Sequence, residues 1–281
     1  MAHRYVHRDT LKAALGILAS TTGQHEQLDD AAETVSLDFD DFVGFSFQPA
    51  SGARDYTPRQ SRCLALDTPL TAVDAIRTTS DGTSYGTTFA GDAFHLTPYN
   101  ATMESPRKPF WGIELKASAA AVFPAGTVRG ARVLGTWGYY DERKLSAATL
   151  ATALDATATT VQLNGATALH AGQTILMGGE RMLVTQTPAS STGSITSAVT
   201  VERGQHGTSG ATHSCATTIE VYRYPIIERL ALYQAEADYR AMHIPLGYAG
   251  GGDNTERPVG GAGLHPFVRK RLERFRSPTV A

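Results

Sequence analysis

VERGQHGTSGATHS, residues 201–214, packs three glycines, two histidines and an adjacent Glu-Arg pair into fourteen positions. Read as chemistry, it is a catalytic or metal-binding loop. Read as architecture, Gly204, Gly207 and Gly210 shape a tight connection between two strand-like runs, SAVTV (197–201) and TIEVY (218–222), because glycine takes up positive φ without steric cost. The second reading makes residues 146–222 a small β-module, with Glu202 and Arg203 at a strand end.

The chemical reading fails on spacing. Gly207-Thr208-Ser209-Gly210 falls one position short of the G-x-S-x-G nucleophile elbow and lacks its strand-turn-helix setting. His206, His213 and Cys215 offer three mixed zinc ligands with no fourth and no closed spacing. Elsewhere His7-Arg8-Asp9 copies a kinase triplet, but the Asn required five positions on is Ala14, and Asp9 reads better as a helix cap. Asp38, Asp40 and Asp41 read as a solvated helix edge. Phosphate-cradling and metalloprotease motifs are missing from the sequence. The chain is therefore expected not to be an enzyme and to carry no cofactor and no metal.

Working outward, five strands are expected in the module: TTVQL, QTILM, RMLVT, SAVTV and TIEVY, the second and third joined through Gly178-Gly179. Short β-like runs also fill the stretch before it, CLAL at 63–66, AFHL at 93–96, GIEL at 112–115 and RVLGTW at 132–137. Helical spacing marks the start of the chain. Leu11, Ala14, Leu15 and Leu18 recur at i, i+3, i+4 and i+7 up to Gly23, and Leu28, Ala31, Ala32, Val35, Phe39 and Phe42 continue the pattern to Gly44. These predict a helical hairpin. A third helix is expected from Pro225 to about Met242. A tract with seven glycines, 247–263, has the composition of a flexible linker, and HPFVRKRLERFR reads as a basic amphipathic arm.

The predicted class is α+β, with a helical hairpin and returning helix as its core. The segments are 1–145 for the core helices and β-rich part, 146–222 for the inserted all-β domain, 223–246 for the returning helix, 247–263 for the linker and 264–281 for the arm. Bulk composition sets wider limits. A net charge of −2 gives no global attraction to nucleic acid, and the apolar runs are far shorter than the roughly 20 residues of a membrane span. Without a signal-like start, the chain is expected to be made and kept in a cytosol. Two cysteines, Cys63 and Cys215, are expected to be free buried thiols.

The serial order of features resembles the head-tail connector, or adaptor, family of long-tailed bacteriophages. TLKAALGI is followed by LDDAAETVSLDFDDFVG, Phe47-Gln48-Pro49, Arg54-Asp55-Tyr56, a Leu-rich strand, Leu96-Thr97-Pro98-Tyr99-Asn100, a Gly135-to-Tyr139 strand end and PIIERLALYQAEADYR. The likeness covers about two thirds of the chain, and the serial order carries it rather than any one motif. The stretch 146–222 departs from compact members, and resembles modules of larger phage neck proteins.

The resemblance implies a virion structural protein at the neck, made in the host cytoplasm, in a ring of about twelve copies between portal and tail, with two different complementary faces on each subunit. It implies Leu28, Val35, Phe39, Ile226, Leu230 and Tyr233 as ring-interface candidates. It also implies an arm that reaches the portal, with Phe267, Val268, Leu272 and Phe275 as apolar anchors. Arg269, Lys270, Arg271, Arg274 and Arg276 would pair with portal carboxylates. A stopper or tail terminator protein would lie on the tail side, and genomic DNA would pass through the lumen without sequence-specific binding; no membrane is involved. The alternative is a tail or baseplate component whose β-module binds host carbohydrate, although 146–221 holds no Trp, Tyr or Phe to stack on a sugar. A hydrolase built on His206 and His213 is the third reading.

Overall fold

Gly16 ends helix α1 (Arg8–Leu15) in the left-handed region, at φ 71°, so the first helix has eight residues and stops well before Gly23. The apolar stripe is cut with it. Leu18, its last expected member, lies 73 % exposed. The computed structural model describes residues 4–18, 21–103, 108–139, 142–165, 169–187, 196–242 and 263–276. Four α-helices stand against twelve strands among the described residues. The expected α+β fold with a helical hairpin and returning helix as its core is thus corrected: the chain is mostly β, it holds a closed six-stranded barrel, and no helical hairpin core is evident among the described residues. The physical reason is where the apolar side chains go. Two of the buried clusters are lined mainly from strands, while α1 is too short to pair along helix α2 (His25–Val43) and packs on helix α3 (Pro225–Met242).

Two compact units divide the chain. One takes the described residues up to Phe42, then those of Lys144–Gln205 and Ser209–Phe275; the other takes Val43–Arg143, His206–Thr208 and Arg276. The linker expected at 247–263 lies outside the described residues except for Gly263, as do arm residues 277–281.

The sheet unit is antiparallel throughout. Strands β1 (Ala50–Tyr56), β2 (Cys63–Thr78), β4 (Phe94–Thr97), β5 (Phe110–Leu115) and β6 (Ala131–Trp137) take the order β1-β6-β2-β5-β4, and the two-residue β3 (Thr87–Thr88) pairs with β2. β2 runs for 16 residues with several register shifts, so it bends across the sheet rather than ending after CLAL. Leu64, Leu66, Leu70, Ile76, Ile113, Val133 and Trp137 fill its core.

The barrel closes in the order β10-β11-β8-β7-β12-β9. Its strands are β7 (Glu142–Leu150), β8 (Thr160–Asn164), β9 (Thr174–Met177), β10 (Glu180–Gln186), β11 (Thr196–Glu202) and β12 (Thr218–Arg223). Alternation sends Val161 and Leu163 of β8, and Val199 and Val201 of β11, into the same interior as Ile175, Met182 and Ile219. Gly178 and Gly179, at φ 53° and 98°, form the two-residue turn between β9 and β10.

The helices of this unit are tied down by polar contacts. Arg4 pairs with Asp29 and Glu33 of α2, and the Tyr5 amide donates to Ser36 Oγ at 3.0 Å. The Tyr224 amide, just ahead of Pro225 at the start of α3, donates to Glu228 Oε1 at 2.7 Å, and Arg223 forks onto the same carboxylate. Glu228→Ala removes this cap and is expected to lower stability by about 1 kcal/mol, read as a fall in the urea midpoint without a change of slope. Helix α4 (Pro266–Leu272) begins at His265, whose amide donates to Gln234 Oε1 at 2.8 Å, and continues as a tight turn to Phe275. Cys63 and Cys215 are free and exposed, which corrects the expectation of buried thiols.

Candidate docking groove

Two stripes of side chains, one on α3 and one on α4, face the same opening. On α3, Pro225, Ile226, Arg229, Leu230 and Tyr233 recur at helical spacing; on α4 and the tight turn that continues it, Phe267, Arg271 and Arg274 sit at i, i+4 and i+7. Together they line a groove of about 650 Å³. Its floor is apolar and its rim is cationic.

Tyr233 and Phe267, 44 % and 48 % exposed, meet edge to face at 5.8 Å, and His265 closes on Tyr233 at 5.2 Å. The Arg271 guanidinium lies 5.4 Å from the Phe267 ring centre and the Arg274 guanidinium 4.9 Å from that of Phe275. None of Arg229, Arg271 and Arg274 forms an ion pair among the described residues. Flat cations stacked on rings, beside half-exposed aromatics, make a surface suited to a partner with apolar and carboxylate groups.

The residues expected from the sequence divide between this groove and the interior. Ile226, Leu230 and Tyr233 come together in it, Tyr233 the most open of the three. Leu28, Val35 and Phe39 lie elsewhere, fully buried on the inner side of α2. In the arm, Val268, Leu272 and Phe275 are buried within their own subunit, whereas Phe267, Arg271 and Arg274 line the groove. Lys270 and Arg276 are exposed, and Arg269 lies over Phe42 and 4.0 Å from Glu273. Sequence reasoning missed Arg229. Phe267, expected beside Val268, Leu272 and Phe275 as a portal anchor, lies one residue out of phase with that stripe and is half-exposed, whereas the other three are buried.

Residues 201–214 form a different kind of site, a buried polar knot. Glu180, 1 % exposed at its side chain, accepts from Arg203 Nε and Nη2, each at 2.7 Å, from His213 Nε2 at 2.8 Å, and from the amides of Gly204 and Ala211. Arg203 Nη1 donates to the carbonyls of Asp155 and Ala158, and Nη2 also reaches that of Ala211. Burial pushes the Glu180 carboxyl up, but Arg203, His213 and the two amides outweigh it and hold the group at about 2. The carboxylate therefore fixes the loop as a permanent anion. His206, at φ 51°, sits on the tip and accepts from the Ser51 amide through its carbonyl at 2.8 Å. Cys215 Sγ lies against the carbonyls of Leu150 and Ala151.

No helix among the described residues is long and apolar enough to cross a membrane. No protein-family model, curated protein or solved structure matches this chain.

Proposed function

We propose that this chain is a virion structural protein, a subunit of the ring that joins the portal to the tail of a tailed phage and through whose lumen the genome passes. The observation that carries the reading is the half-exposed apolar and cationic face built by α3 and the C-terminal arm, on a chain whose segments follow the connector order. A face of this composition favours protein partners rather than a small molecule, since exposed aromatic and arginine side chains dominate the energetics of protein interfaces.

The role asks each subunit for at least two contacts, one with identical neighbours and one with the portal, and a third on the tail side with a stopper or terminator protein. Lys270, an exposed arm cation outside the groove lining, is assigned to portal carboxylates, and Val268, Leu272 and Phe275 hold the arm on its own subunit. Truncating the arm is accordingly a poor test, because it strips three core side chains. The better test is Lys270→Glu in the full chain, mixed with the portal protein of the same phage. Affinity for the portal is expected to fall about tenfold, with thermal unfolding unchanged. A wild-type chain that forms no complex with the portal contradicts the reading.

A further inference from the structure

We propose that the groove between α3 and α4 receives the acidic outer face of α2 from a second copy of this chain, making a head-to-tail contact. The inference rests on the ring reading above and names the two surfaces that build the ring.

The outer side of α2 has the chemistry that the groove lacks. Its inner side is Leu28, Ala31, Ala32, Val35 and Phe39; Asp29 and Glu33, at the flank, are spent on Arg4 and Arg8. That leaves Glu26, Asp30, Leu37, Asp38 and Asp41 exposed along one stripe, and none of these four acids forms an ion pair among the described residues. Leu37 stands 52 % exposed in their midst, an apolar knob flanked by carboxylates. The groove is the counterpart: Ile226, Leu230, Tyr233 and Phe267 for the leucine, and Arg229, Arg271 and Arg274 for the acids.

The two faces do not serve each other within one subunit. Arg269 of α4 lies over Phe42 of α2, so α4 turns its Arg269 side toward that helix. At 3.6 residues per turn, Arg269 points about 160° round α4 from Phe267 and Arg271, which line the groove. Different patches that complement each other on different sides generate a heterologous contact, which closes into a ring when the rotation allows. With 25 basic and 27 acidic residues, the whole chain sets up little repulsion between copies.

Charge exchange tests this with two full-length variants. Arg271→Glu with Arg274→Glu gives an acidic groove; Asp38→Arg with Asp41→Arg gives a basic α2 face. Each alone is expected to raise the concentration needed for self-assembly about a hundredfold, measured by light scattering after size exclusion. An equimolar mixture restores both complementary contacts and is expected to assemble as the wild type does, in alternation. Recovery in the mixture also excludes misfolding as the cause of either loss. Assembly is further expected to weaken with salt, as screening shortens from about 10 Å at 0.1 M to about 3 Å at 1 M.

Wild-type assembly by either variant alone, or a mixture that fails to recover, overturns the proposal. So does loss of portal binding by the acidic-groove variant with self-assembly intact, which assigns the groove to the portal instead. If the wild type forms a ring on the portal but the mixture fails, only this interface is lost. If the wild type neither self-assembles nor binds the portal, the connector reading falls with it.

Discussion

Glu180→Ala is expected to destabilise the barrel by about 3–5 kcal/mol, a large part of the 5–15 kcal/mol that holds an ordinary domain folded. The reason is what it leaves behind. Arg203, 8 % exposed at its side chain, would keep a buried positive charge with only carbonyl oxygens for company, and the Gly204 and Ala211 amides and His213 would each lose an acceptor. Glu180→Gln keeps the shape, but its amide nitrogen meets donors where an oxygen was, so it is expected to fall between alanine and wild type.

The same group sets a pH dependence. Its carboxyl is held at about 2, below the 4.5 of an unperturbed glutamate, so its contribution is fully present above about pH 4.5 and is lost as pH falls toward 2. Hydrogen exchange of β10 and β11 should loosen across that window in the wild type and far less in Glu180→Gln. Both tryptophans, Trp111 and Trp137, lie in the sheet unit, so their fluorescence follows the other unit separately. Loss of protection in the barrel across that window is the expected pattern; an acid transition of equal size in Glu180→Gln would refute the assignment.

Gly207→Ala carries the second large effect. Gly207 has φ 80°, and a Cβ built there would lie 1.9 Å from the Ser51 carbonyl oxygen, backbone that cannot swing aside. The positive φ alone costs an alanine about 1–3 kcal/mol, and the overlap must then be relieved by moving residues 206–208 off β1. The Ser51 amide, which donates to the His206 carbonyl, is expected to lose its protection from exchange, and Trp137, whose ring nitrogen donates to the neighbouring Gly52 carbonyl, to change its emission. A variant with native protection at Ser51 would show that the tip is not seated as described.

Sequence patterning reached the strands more readily than the helices. Val161, Leu163, Val199 and Val201 alternate because one barrel face is wet and the other dry, and Gly178-Gly179 marks the hairpin by its φ requirement. β7 was harder, since only its end, Ala148 and Leu150, enters the core and the rest reads as an Ala/Thr-rich lead-in. The helical core was misjudged because the apolar spacing at 11–18 does not register the break that Gly16 imposes, nor that Leu28, Val35 and Phe39 are fully covered inside their own subunit. Residues 201–214 show the limit most plainly. Their glycines announce a turn, but the anion that organises them is Glu180, 23 residues upstream of Arg203, and only the closed barrel brings the two together. The groove likewise needs α3 and α4 side by side, although Phe267, Arg271 and Arg274 already share a helical phase.

Electron cryomicroscopy of the full-length chain bound to the portal of its phage is the most direct measurement. A closed ring of about twelve copies on the tail side of the portal, with α2 of each subunit against α3 and α4 of the next, is the expected image. Single subunits scattered on the portal, or a chain that stays monomeric beside it, would contradict the connector role.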